Sequence, residues 1–217
     1  MTGFAGETKI THMGHSSLAI EKDDLLLVID PGNLSSHKLL RDANAVLVTH
    51  KHPDHIVPEA LDGSDAQVWG PQEVIELLAE AGIPEAHLHP AEPGDTFTAA
   101  GFSITAFGGS HAAVYPGMPV LQNNAYLIDN ELFHPGDSFT TAPDPANVRV
   151  LFTPIAAPWL KLAETIDFVR AHPSADIVPI HDAILSPEGI GITDGALQRL
   201  IENRAYRRLG YDESLWT

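Results

Sequence analysis

Residues 45–55 read Ala-Val-Leu-Val-Thr-His-Lys-His-Pro-Asp-His. The first five form an apolar, valine-rich run with the composition of a short strand buried on both faces. The next six place His50, His52, Asp54 and His55 directly at the end of that strand. Pro53 argues against a helix here, so these side chains project from a loop. Imidazoles and a carboxylate crowded onto one strand end are metal donors. A loop anchored by a buried strand can hold them rigidly while one coordination position stays open to water. A His-rich surface loop is the bland alternative, and the His-x-His-x-Asp-His spacing is too specific for it.

On the N-terminal side the pattern predicts strands at 9–13, 17–21 and 25–29. Asp23-Asp24 forms a hairpin turn and Pro31-Gly32 stops the third strand. On the C-terminal side it predicts a brief strand at 68–69 and a helix from Pro71 through Glu80. Val74, Leu77 and Leu78 are at helical spacing, and Gly82 is the stop. Further strands are expected at 96–99, 102–107, 124–129, 131–134, 148–152 and 177–180. Helices are expected at 160–171 and 196–209, the last with its arginines exposed. Many strands with helices interspersed, without strict alternation, favour two sheets covered by helices over one doubly wound sheet. No repeat, low-complexity tract or linker breaks the pattern, and residues 1–217 read as one domain.

Three more donor residues stand where strands run out. His111 follows Gly108-Gly109-Ser110, Asp137 follows His134-Pro135-Gly136, and His181 follows Val178-Pro179-Ile180. Layered α/β folds gather their sites at such ends. Singly, each reads as an ordinary loop residue; beside the first cluster, all three become candidate ligands.

Composition sets outer bounds. The 217 residues are 44% hydrophobic, enough for one sizeable core. No apolar run is long enough for a membrane span, and the opening Met1-Thr2-Gly3-Phe4 stretch lacks the pattern of a secretory leader, so a cytoplasmic location is expected. The chain has no cysteine, so neither disulfides nor a thiolate nucleophile is available. Imidazole and carboxylate suit zinc, manganese or iron. With 29 acidic and 12 basic residues the formal charge is -17, which opposes DNA or RNA as a partner.

Taken in order, these motifs resemble those of the metallo-β-lactamase-fold hydrolases, and within them the branch that includes L-ascorbate-6-phosphate lactonase. The likeness runs through Gly14-His15-Ser16-Ser17, Asp30-Pro31, the segment 50–55, the His111 loop, Gly136-Asp137-Ser138 and Pro179-Ile180-His181. It implies an α/β fold, a four-layer αβ/βα sandwich with the site at one edge between the sheets. It also implies that His50, His52 and His111 bind one metal, Asp54, His55 and His181 the other, and that Asp137 bridges them. Zinc is the expected metal of the pair and manganese the alternative. Two departures stand out. Ala156-Ala157-Pro158-Trp159 replaces a glycine-rich loop with a methionine, and His181-Asp182 replaces a His-Tyr pair.

The chemistry of that division is a metal-bridging hydroxide made available near neutral pH and attacking a small ester or lactone. Asp54, Asp137 and His181 are the catalytic candidates, with Asp54 orienting the nucleophile and returning a proton to the leaving group. Asp30 is the candidate for fixing a histidine tautomer. His15 reads either in that role or as a core histidine, His134 as a neighbour of the site or a plain strand residue, and Trp159 as pocket wall or core. His12, His37, His87, His89 and His172 read as surface or loop residues. The partner is a small molecule, and a homo-oligomer is left open. A phosphodiesterase or nuclease using the same centre is the alternative enzyme, although Lys51, Lys161 and Arg149 are the few basic residues near the motifs. A redox di-iron relative would carry an acidic residue at the position of His52 and an added flavin domain, and this chain has neither. A non-catalytic module of the same fold would have lost ligands, whereas all seven positions are filled.

Overall fold

The computed structural model describes residues 7–201 and 204–217. The opening stretch 1–6, on which the expectation of no leader rests, lies outside them.

The first sheet begins with two hairpins. β1 (Lys9–Gly14) and β2 (Ser17–Lys22) turn at His15-Ser16, and β2 turns into β3 (Leu25–Ile29) at Asp23-Asp24, with φ of 49° and 65°. Left-handed conformation at both central residues is the hairpin geometry that matches strand twist, and aspartate tolerates it. β4 (Ala45–Leu47), β5 (Gln67–Gly70) and β6 (Leu88–Pro90) then add in parallel. The second sheet starts with the antiparallel strands β7 (Thr96–Ala99), β8 (Phe102–Gly108), β9 (Asn124–Ile128) and β10 (Leu132–His134). β11 (Val150–Pro154) and β12 (Asp176–Ile180) extend it in parallel. With β13 (Ser214–Trp216) on the free edge of β1, the orders are β13-β1-β2-β3-β4-β5-β6 and β12-β11-β10-β9-β8-β7.

Period-two alternation decides what each face buries. Leu18 and Ile20 of β2 join Leu27, Leu47, Phe102, Ile104, Tyr126 and Phe152 in a core between the sheets. Ala19, between them in sequence, faces the opposite way, with Val46 and Val68, against Val74 and Leu78 of helix α1 (Gln72–Glu80). A third cluster lies beneath α2 (Leu162–Ala171) and α3 (Pro187–Leu200), where Phe168, Val169 and Leu197 meet Leu151 and Ile177. The layers run α, β, β, α, as the resemblance implies. No helix among the described residues is long and apolar enough to cross a membrane.

The expected C-terminal helix at 196–209 is corrected. α3 starts earlier, where Pro187 opens the helix and Ser186 Oγ accepts from the Gly189 amide at 3.2 Å. Residues 202–203 lie outside the described set. Beyond them the chain runs extended, with Tyr206 bridged to Ile177 of β12. Arg207 is exposed as expected, paired with Asp176, but Arg204 and Arg208 are anchors. Arg204 donates to the Val169 and His172 carbonyls at the end of α2, and Arg208 grips Asp182 and Asp194. β6, β13 and the first half of α3 were not anticipated.

Candidate metal centre

All seven sequence candidates converge at one end of the two sheets. His50, His52, His111 and Asp137 each bring a donor atom to within 4.8 Å of one another, and so do His15, Asp54, His55 and His181. Every member follows a strand end, and the loops are shaped to reach inward. The segment after β4 closes a short turn, the His55 and Ile56 amides both donating to the His52 carbonyl at 2.9 and 3.0 Å. It is packed against Pro31-Gly32, where a Cβ on Gly32 would sit 2.0 Å from the Asp54 carbonyl atoms; only glycine permits that approach. Gly136 turns Asp137 inward with φ of 61°, and Asn123 Oδ1 accepts from the Asp137 amide at 2.9 Å. Asp30, His15 and His181 hold left-handed φ values of 47°, 52° and 59°. Such conformations are costly for side chains with a Cβ and concentrate at functional sites.

The hydrogen bonds assign each ring nitrogen. His55 Nδ1 donates to Asp30 Oδ2 at 2.7 Å, and Asp30 also accepts from the Thr49 amide and hydroxyl, each at 2.7 Å. His50 Nδ1 donates to Thr49 Oγ1 at 3.0 Å, His111 Nδ1 to the Ala112 carbonyl at 2.6 Å, and His181 Nδ1 to the Ala156 carbonyl. In all four rings Nδ1 is therefore the engaged nitrogen and Nε2 is the one turned to the interior, where it would offer its lone pair to a cation. His52 Nδ1 lies 2.9 Å from His50 Nε2 and donates to it, an imidazole–imidazole hydrogen bond that ties the two rings together.

His15 has the opposite arrangement. Its Nδ1 accepts from the Ala183 amide at 3.3 Å, so Nε2 carries the proton and donates to Asp54 Oδ2 at 3.2 Å. His15 thus orients Asp54 and has no lone pair left for a metal. His134 does not enter the nest: it donates to the Ser16 carbonyl and accepts from the Gly136 amide, bracing the turn before Asp137.

Asp137 lies between the two groups. Its Oδ1 is 3.2 Å from both His55 Nε2 and His181 Nε2, while Oδ2 is 3.3 Å from His111 Nε2 and accepts from Trp159 Nε1 at 2.9 Å. Burial alone would raise the Asp137 carboxyl, but the imidazoles around it, His55 first and then His111 and His181, hold it well below the usual carboxylate range. Asp54 is likewise raised by burial and lowered on balance, first by its bond from His15 and then by His55 and His181. Burial pushes His50, His52 and His15 down. His55 alone goes up, because Asp137 and Asp30 outweigh its complete burial.

Imidazole and carboxylate donors fit a divalent transition metal, and the orphaned atoms fit it better still. Nε2 of His55, His111 and His181 and Oδ1 of Asp137 are all buried without a hydrogen-bond partner. Each such group costs about 1–3 kcal/mol when left unpaired. Four of them facing one another is what a cation would resolve.

Sequence reading missed Asn123, Thr49 and the grip of Trp159 on Asp137. A buried indole needs an acceptor, and that requirement was the available signal for Trp159. Two histidines read as surface residues are instead buried. His12 on β1 donates Nε2 to the His15 carbonyl, and His172 at the end of α2 bonds the Phe168 carbonyl and the Ala142 amide. His172 satisfies both ring nitrogens on nearby backbone, whereas His12 uses Nε2 alone and leaves Nδ1 buried without a partner.

Comparison with known proteins places these features in context. A family model for the beta-lactamase superfamily domain matches residues 9–181. Protein Rv0786c of Mycobacterium tuberculosis is 36% identical over 203 residues, 88% of this chain and 92% of that protein. A UPF0173 metal-dependent hydrolase of Mesorhizobium japonicum, mll0680, is 31% identical over 148 residues, 60% of this chain and 63% of its own length. The solved structure of Igni18, a novel metallo hydrolase from the archaeon Ignicoccus hospitalis, superposes with a TM-score of 0.73 at 19% identity, over 97% of this chain and 98% of that one.

Proposed function

Because this chain belongs to the beta-lactamase superfamily and has the metallo-β-lactamase fold, we propose that it is a metal-dependent hydrolase with two metal sites, cleaving a small carboxylic ester or lactone. The observation that carries this reading is the set of orphaned, buried donors on His55, His111, His181 and Asp137. Residues 1–217 then act as one domain, since the inter-sheet core of the described residues draws on both sheets.

In this reading His50, His52 and His111 hold one ion, Asp54, His55 and His181 the other, and Asp137 is shared, one oxygen turned to each group. A pair of divalent cations supplies Lewis acidity and lowers the pKa of water from 15.7 towards about 7. The chain's own residues do the rest. Asp54, about a third exposed and oriented by His15, faces the open side of the nest, where it aims the attacking water at the acyl carbon. Ionised Asp54 accepts the proton that water gives up and passes it to the departing alkoxide oxygen, so acid and alcohol leave as products. Trp159 holds the shared carboxylate in place. Imidazole and carboxylate donors without thiolate suit zinc, with manganese the second choice.

The test joins elemental analysis with initial rates on lactones, aryl esters, a bis-aryl phosphodiester and single-stranded oligonucleotides, with zinc and manganese in parallel. The expected result is about two ions per chain, and ester or lactone turnover that His52→Ala and Asp137→Ala abolish. Fewer than about half an ion, not raised by added metal, would overturn the metal reading. Oligonucleotide cleavage tenfold faster than any ester would replace the substrate class with the nuclease alternative.

A further inference from the structure

Beside the His15–Asp54 side of the centre lies a groove of about 320 Å³, to which Gly14, Leu34, Leu185, Ile190, Leu209 and Tyr211 contribute. His15, which orients Asp54, also borders it, so the groove adjoins the candidate site. Tyr211 and Leu34 are exposed apolar residues on its rim, and Tyr211 packs so closely on Gly14 that a Cβ there would meet its ring at 2.6 Å.

The charged residues in the lining are Asp182 and Arg208, and they cancel. Arg208 donates to Asp182 Oδ2 at 2.6 Å, and to both oxygens of Asp194 at 2.5 and 2.6 Å. Its guanidinium is committed to carboxylates and offers nothing to an anionic ligand. Nearby cations are also engaged: Lys38 with Asp212 at 2.7 Å and Lys51 with Glu73 at 3.4 Å. A phosphate or carboxylate on the substrate would therefore find no free partner here. An uncharged hydrocarbon group would remove exposed apolar surface from water.

We propose that this groove is the subsite for an uncharged, apolar group of the substrate, so that the preferred esters or lactones carry an alkyl or aryl chain. The substrate class rests on the hydrolase reading above, whereas the groove's affinity for a neutral chain does not.

Two measurements keep those readings apart. N-octylacetamide, a neutral amide with the same chain, is titrated against the metal-loaded protein by calorimetry, and N-methylacetamide serves as the short control. The octyl compound should bind at least tenfold more tightly. Leu34→Asp and Tyr211→Ala, both at exposed positions, should each erase most of that difference while metal content is retained. In parallel, kcat/KM for p-nitrophenyl esters should climb about fourfold per added methylene until the groove is full, and the octanoate-to-acetate ratio should collapse in both variants. Equal binding of the two amides, or octyl binding indifferent to both substitutions, overturns the groove. Chain-selective binding without turnover of any ester leaves the groove standing and removes the ester reading instead.

Discussion

Replacing Asp30 by asparagine changes one atom in the interior and should disable half of the centre. Asp30 is fully buried and accepts three hydrogen bonds, from the Thr49 amide, the Thr49 hydroxyl and His55 Nδ1, each at 2.7 Å. An asparagine amide has one acceptor oxygen and one donor NH2. If the oxygen keeps the Thr49 amide, the NH2 faces His55 Nδ1, and His55 must move its proton to Nε2. That nitrogen then points a hydrogen at Asp137 Oδ1 and is lost as a ligand. If the amide is flipped, the NH2 opposes the Thr49 N–H and a buried donor goes unpaired. Either way at least one charge-assisted bond of about 1.5–3 kcal/mol disappears. The metal-free protein should lose about 2–3 kcal/mol of stability. The ion held by His55 should bind 10- to 100-fold more weakly, about 1.4–2.8 kcal/mol. Competition with a chromophoric chelator resolves two ions of different affinity, and only one should weaken strongly. Two ions retained at wild-type affinity would refute the tautomer argument, whatever happened to stability.

Trp159→Phe keeps the ring beside Phe139 but removes the donor to Asp137 Oδ2, so both ions should bind about tenfold more weakly, read by the same titration. Gly136→Ala forces a Cβ to 2.3 Å from Asn123 Oδ1 at a φ of 61°, and should cost about 3 kcal/mol in urea unfolding of the metal-free protein. His172 supports a pH prediction away from the centre: burial, then the nearby Arg204 charge, holds it below the ordinary imidazole range despite its bond to the Phe168 carbonyl. The folded state resists a proton that the unfolded chain accepts, so this stability is present above about pH 6.5 and lost as pH falls below it. Wild type should therefore lose more stability between pH 7 and pH 5 than His172→Gln, and equal losses would sink the account.

The strands and the donors were legible for the same reason. Strands 9–14, 17–22 and 25–29 alternate or run apolar, and period two survives any tertiary context that buries one face. The segment 50–55 packs its donors into six residues, so no long-range pairing had to be guessed. Asp30 could be named as a partner because carboxylates habitually fix ligating imidazoles, and it meets His55. The opposite tautomer of His15 was not legible, since the deciding Ala183 amide lies 168 positions away. Nor was the end of the chain. Periodicity at 196–209 suits a helix, but Arg204 and Arg208 are pulled to carbonyls and carboxylates on other elements, and those side-chain bonds outweigh weak local propensity.

That division bears on specificity. The family match ends at residue 181, with the last candidate donor, while the groove takes Asp182, Leu185, Ile190, Arg208, Leu209 and Tyr211 from beyond it. The donor nest must satisfy fixed coordination chemistry, which restricts residue type and spacing and so leaves a readable motif. An apolar wall must only exclude water and fill volume, which leucine, isoleucine or tyrosine can do from many positions. Two chains with the same nest can therefore differ wholly in what they accept. Exchanging residues 182–217 between this protein and a relative should carry chain-length preference with the exchanged segment and leave metal stoichiometry with residues 1–181. Preference that stayed with residues 1–181 instead would place substrate selection in the donor loops and contradict the argument.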